Sequence, residues 1–152
     1  MFKNKILLIF LMLTSLYSKD NSWDKAIYLG KKSYSKNTKN TVRDNYTGLI
    51  WQKSDDGKKR KHFYAKEYCQ KLVLDGFKDW RLPTYNELYY LADRTKKNPS
   101  IDTAYFKARA DDWYWTSTKT SWDDQSAWVI RFFNGYGNDY DLTYGNYTRC
   151  VR

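Results

Sequence analysis

Histidine occurs once in this chain of 152 residues, and cysteine and proline twice each. His62, Cys69 and Cys150 are too few for the three or four soft ligands of a transition-metal site once the thiols are paired. Glu67 and Glu87 are the only glutamates. A carboxylate pair flanking a glycosidic bond would have to come from loop aspartates, and no spacing selects one. His62 sits in a cationic run that disfavours its protonation, and no nucleophile is marked beside it. The chain therefore gives no catalytic residue, metal ligand set or cofactor motif, and reads as non-enzymatic. Long apolar runs are missing too. The longest, Ile6–Leu16, is about eleven residues, short of the ~18 needed for a membrane-spanning helix. Leu, Ile and Val are scarce after it, and there is no tandem repeat.

What is present begins with a charged and apolar N-terminus. Lys3 and Lys5 precede Ile6–Leu16, and Ser15 and Ser18 follow near a plausible cut, the pattern of an export signal over residues 1–18. The mature chain is then expected outside the cytoplasm, periplasmic or secreted to the cell surface, with no stable membrane span. Losing Lys3 and Lys5 lowers the formal charge from +10 to +8. Some 134 residues remain, enough for one domain with its own core. In an oxidising compartment Cys69 and Cys150 read as one disulfide, two free thiols being the alternative. Closing that loop would stabilise the fold by roughly 4–5 kcal/mol.

Residues 19–41 are Lys-, Asn- and Ser-rich and read as a linker or loosely docked N-terminal segment. Residues 42–152 read as the domain. Val42–Gln52 resembles a hairpin turning at Asn45-Tyr46-Thr47-Gly48. Ala65, Tyr68, Cys69, Leu72 and Val73 follow helical spacing, with Gly76 at the exit. Pro83 forces an extended approach, and Thr84 stands three residues before Glu87, the capping-box spacing, so a second helix runs from Thr84 to about Arg94. Trp113–Ser117 and Ala127–Phe133 favour strands, Asn134-Gly135 signals a hairpin returning along Tyr136–Tyr140, and Tyr147–Val151 closes the chain as a last strand. Helices followed by a meander give an α+β fold.

In order along the chain stand Thr47-Gly48-Leu49-Ile50-Trp51-Gln52, the helix with Cys69, Asp79-Trp80-Arg81-Leu82-Pro83-Thr84, Tyr114-Trp115-Thr116-Ser117-Thr118, Ala127-Trp128-Val129 and Arg149-Cys150-Val151-Arg152. This set resembles the Legionella collagen-like (Lcl) C-terminal domain family over roughly residues 42–152. The resemblance implies a C-type-lectin-like fold, two helices packed on a small twisted antiparallel sheet with long loops. It also implies a Cys69–Cys150 bridge from the first helix to the last strand, and adhesion to sulfated or otherwise anionic glycans. Trp51, Trp80, Trp115 and Trp128 occupy motif positions assigned to packing. Arg81 is expected to lock the helix start to the sheet. The Glu-Pro-Asn, Gln-Pro-Asp and Trp-Asn-Asp signatures of calcium-dependent sugar chelation are absent. The related formylglycine-generating enzymes need reactive cysteines, and the bridge claims both of these.

Two constellations are candidates for binding. Lys58, Lys59, Arg60 and Lys61, followed by His62, create a field that attracts sulfate, phosphate or carboxylate, with Phe63 and Tyr64 behind as stacking plates. A solvated, solubilising loop would look the same. Export argues against nucleic acid as the partner. Tyr136, Tyr140 and Tyr144 lie among Gly, Asn and Asp, a composition suited to adaptable contact. The aspartates at 111–112, 123–124, 139 and 141 match no calcium loop and suit turns instead. The expected function is an exported adhesion domain for anionic glycans or polyanionic polymers. The alternatives are a docking module for an envelope protein and, third, an enzyme of the formylglycine-generating group.

Overall fold

The computed structural model describes residues 32–152. The expected export signal, 1–18, and residues 19–31 of the lead-in lie outside the described residues. The elements are β1 (Tyr34–Lys36), β2 (Thr41–Asp44), β3 (Ile50–Gln52), α1 (His62–Lys71), α2 (Tyr85–Leu91), β4 (Trp113–Lys119), β5 (Ser126–Arg131) and β6 (Tyr136–Asp141). This is the expected α+β class with two helices. Its strands, however, form two antiparallel three-stranded sheets, β1-β2-β3 and β4-β5-β6, where one sheet was expected.

Side chains alternate across a strand, and here both faces of β4 and β5 are covered. Tyr114, Ile130 and Phe132 point into one cluster with Trp51, Leu88, Leu91 and Phe106. Their neighbours Trp115, Val129 and Ala127 point into another with Ala65, Cys69, Trp80 and Leu82. Strands that must bury both faces carry Trp-Tyr-Trp and Trp-Val-Ile, so large aromatics supply the apolar area that Leu, Ile and Val would otherwise give. The disulfide Cys69–Cys150 joins α1 to the C-terminal segment inside the second cluster, with both cysteines fully buried.

Several expectations need correction. The fold does not begin at residue 42. Tyr34 is buried and meets Phe106 edge-on at 5.0 Å, while β1 pairs with β2 in register from Tyr34↔Asp44 to Lys36↔Val42. An edge strand wets its outer side, which is why this stretch reads as polar. α1 stops at Lys71, with Leu72 already extended and Val73 60% exposed instead of on the inner face. Gly76 is not the helix exit: Asp75 (φ 51°) and Gly76 (φ 84°) make the two-residue turn between bridged Leu74 and Phe77. α2 ends at Leu91 because the amide of Asp93 leaves the helical pattern for the Ser100 carbonyl, 2.7 Å away.

A further correction concerns Tyr147–Val151, which forms single bridges to several partners where a continuous strand was expected. Tyr147 bridges Tyr114, and Val151 bridges both Trp51 and Arg81. The C-terminal segment thus ties the first sheet to the second. Inside it, Arg149 is fully buried and donates to the carbonyls of Gln52, Lys53 and Lys107, clamping two loops.

Candidate functional site: a basic groove beside the first helix

The framework of the site is the turn from Trp80 to Glu87. Trp80 is buried, with its indole N–H donating to the Phe77 carbonyl at 3.2 Å. Pro83 accepts the Ser117 amide at 2.7 Å, pinning the extended approach to β4. Thr84 Oγ1 accepts the Glu87 amide at 3.3 Å, and the Glu87 carboxylate accepts the Thr84 amide at 2.8 Å, so the capping box is closed. Arg81 adds a bidentate pair to the same carboxylate, at 2.7 and 2.8 Å. Burial pushes the Glu87 carboxyl up, but hydrogen bonds from Arg81 and the Thr84 amide outweigh it and hold it below the usual value.

The cationic run that follows Asp56 does not form one patch. Arg60 is turned back onto the Asp56 carboxylate through both terminal nitrogens and lies 4.1 Å over the Tyr68 ring. Its hydrogen bond holds Asp56 below the usual carboxylate range. Lys59 pairs with Asp112 at 2.7 Å. His62 is buried, meets Trp115 edge-on at 5.1 Å, and its Nε2 donates to the Thr116 carbonyl at 2.9 Å. Burial lowers its pKa, against the smaller opposing effect of that carbonyl. Only Lys58 and Lys61 of the run keep exposed ammonium groups without an ion-pair partner among the described residues.

Lys61, the N-cap of α1, opens onto a groove of about 420 Å³ lined by Phe63, Tyr64, Lys66, Lys119 and Thr143, with His62 and Leu142 at its base. Phe63 and Tyr64 remain 66% and 56% exposed and touch edge to face at 5.5 Å. No carboxylate lines it. Lys66 also borders a second groove of about 390 Å³ with Gln70, Arg81 and Thr84, so one lysine lines both. Lys66 was legible in principle, since it shares a helix face with Phe63 at i,i+3. Lys119 was not, because it arrives from the end of β4 with its Nζ held to the Asp124 carbonyl at 2.7 Å.

The three tyrosines divide. Tyr140 touches Tyr144 at 5.7 Å and Trp113 at 5.6 Å, and Tyr144 follows Thr143 of the groove wall with 60% of its surface free. Tyr136, 65% exposed, shares their face of β6 but lies four residues, about 14 Å, away at the other end of the strand. Among the described residues no three His, Cys, Asp or Glu side chains are grouped to hold a metal ion, and no helix is long and apolar enough to cross a membrane.

The family model described as the Lcl C-terminal domain matches residues 40–152. Comparison with curated proteins finds no match.

Proposed function

Since this chain belongs to the Lcl C-terminal domain family, which points to a binding domain, we propose that it is a non-catalytic adhesion module whose basic groove takes anionic glycans or similar polyanionic polymers. The observation that carries this reading is the groove itself, in which Lys61, Lys66 and Lys119 surround exposed Phe63 and Tyr64 with no acidic side chain in the lining. Ammonium groups supply the attraction to sulfate or carboxylate, and the aromatic faces give a ring somewhere to stack. A second groove bordered by the same Lys66 suits an extended polymer better than a single sugar. This reading takes the export signal expected over residues 1–18 to deliver the activity to the cell envelope or surface, and takes binding to be independent of calcium. A C-type-lectin-like arrangement belongs to the same reading.

The test is binding of a sulfated oligosaccharide to the oxidised chain across a salt series, with and without EDTA. Replacing Lys61, Lys66 and Lys119 together by Ser should weaken affinity about tenfold or more and flatten the salt dependence. Replacing Lys58, Lys59 and Arg60 should leave a binding-competent groove with a smaller loss. Wild-type affinity in the groove variant would refute the proposal, and loss of binding in EDTA would refute its calcium independence. A second reading, docking to an envelope protein, draws on the exposed Tyr136 and Tyr144. A saturable protein partner insensitive to the groove variant would favour it.

A further inference from the structure

Net charge conceals an uneven distribution. The chain carries 27 Lys and Arg against 17 Asp and Glu, yet between Thr120 and Thr148 the only cation is Arg131, set against Asp123, Asp124, Asp139 and Asp141. None of these four carboxylates makes an ion pair among the described residues. Next to Asp123 in the chain, and across the β5–β6 pair from Asp139, is an aromatic corner. Trp122, 64% exposed, meets Trp128 at 5.4 Å and 83°. Trp128 in turn lies 4.9 Å from Tyr85, which stacks on Tyr89 at 5.3 Å. Tyr85 reaches this position because Gly137 has no side chain: a Cβ there would stand 2.7 Å from the tyrosine oxygen.

The row already seats a cation at one end, where the Arg94 guanidinium lies 3.6 Å over Tyr89. No Lys or Arg of the described residues covers Trp122 or Trp128 at the other end. Asp139 is the direct cross-strand partner of Trp128, so its Cβ is about 5 Å away on the same face of the sheet. Aromatic faces bordered by uncompensated carboxylates attract a cation, most strongly one that sheds water easily. Asp123 already accepts from Ser126 Oγ (2.6 Å) and the Gln125 amide (2.8 Å), and Asp141 from the Thr143 hydroxyl (2.6 Å) and amide (2.8 Å). Asp124 accepts from the Gln125 side chain at 2.9 Å. These hydrogen bonds hold the three carboxylates in place, and among cations a weakly hydrated quaternary ammonium gains most from aromatic faces. Lys119, whose charge reaches Asp123, donates its Nζ to the Asp124 carbonyl.

We propose that Trp122, Trp128 and Asp139 form a binding site for a quaternary ammonium group, separate from the basic groove. The probe is choline chloride, titrated into the full chain with its disulfide formed and followed through the indole N–H resonances of Trp122 and Trp128. Both resonances should shift saturably with millimolar choline. The uncharged isostere 3,3-dimethylbutan-1-ol should leave them in place. Trp122→Ala, a substitution at an exposed position, should weaken binding by about 5- to 30-fold, and Asp139→Asn should weaken it without altering the amide spectrum elsewhere. A response equal for the neutral isostere, an undiminished response in Trp122→Ala, or no saturable shift at all would overturn the assignment. Sulfated-glycan binding measured on the same Trp122→Ala chain should be unchanged, which separates this site from the groove.

Discussion

Glu87→Gln probes the motif on which the fold turns. The wild-type carboxylate is 13% exposed and accepts three hydrogen bonds, two from Arg81 and one from the Thr84 amide. Hydrogen bonds to a charged partner contribute about 1.5–3 kcal/mol and neutral ones about 0.5–1.5. Gln keeps the shape and one neutral acceptor but loses the charge and the second oxygen. Arg81 is 45% exposed, so its share is discounted for solvent screening. The expected loss is about 2–3 kcal/mol. For a folded unit of roughly 120 residues the unfolding entropy near Tm is about 0.25 kcal/mol/K, so Tm should fall by about 8–12 °C. Thermal unfolding at pH 7 measures this, and a pH series identifies the cause. The folded Glu87 carboxyl titrates below its ordinary value of 4.5. On acidification the unfolded chain therefore takes up this proton first. The stabilisation is complete above about pH 4.5 and is lost as pH falls through the folded value. Glu87→Gln should remove that part of the acid slope, leaving the contributions of Asp56 and the other paired aspartates. A wild-type Tm together with an unchanged acid limb would refute the reasoning.

Two other changes test the interior. Replacing Cys69 and Cys150 together by Ala opens a bridge of sequence separation 81, which in the chain-entropy model costs about 4.5 kcal/mol, or some 18 °C in Tm; denaturant unfolding with an unshifted midpoint would show that the bridge constrains nothing. Arg149→Met sets two effects against each other, relief from burying a guanidinium that has no ion-pair partner among the described residues and loss of its bonds to the carbonyls of Gln52, Lys53 and Lys107. The lost bonds should win by about 3 kcal/mol, and an increase in stability by chemical denaturation would mean that desolvation dominates.

Local chemistry wrote much of this fold into the chain. Pro83, Thr84 and Glu87 lie within five residues, and the forces that start α2 act over that distance, so its N-terminus was readable and is found at Thr84. Asn134-Gly135 likewise marks its turn, with Gly135 at φ 76°. The ends of both helices were less legible because nothing local stops them. Leu72 turns extended with its amide still bonded to the Cys69 carbonyl, Asp93 leaves the helical path for Ser100, and periodicity alone carries on past both. Residues 34–36 were hidden for a related reason: a short edge strand needs only one inward residue, here Tyr34, and its polar neighbours look like linker.

The candidate site was half legible. Five basic or potentially basic residues in succession have one sign in the sequence, but three of them find partners in space: Asp112 for Lys59, Asp56 for Arg60 and the Thr116 carbonyl for His62. The groove instead joins Lys61 and Lys66 to Lys119, 53 residues further on by sequence number (119 − 66).

By itself, then, the sequence determined what short-range forces and composition control: the α+β class, the capped start of α2, the aromatic filling of the core, the single pair of cysteines and the family. Tertiary structure decided which charges remain free and which rings stay exposed. A side chain's charge is local, but its compensation comes from whatever carboxylate or carbonyl folding brings within about 4 Å, and distance along the chain does not encode that.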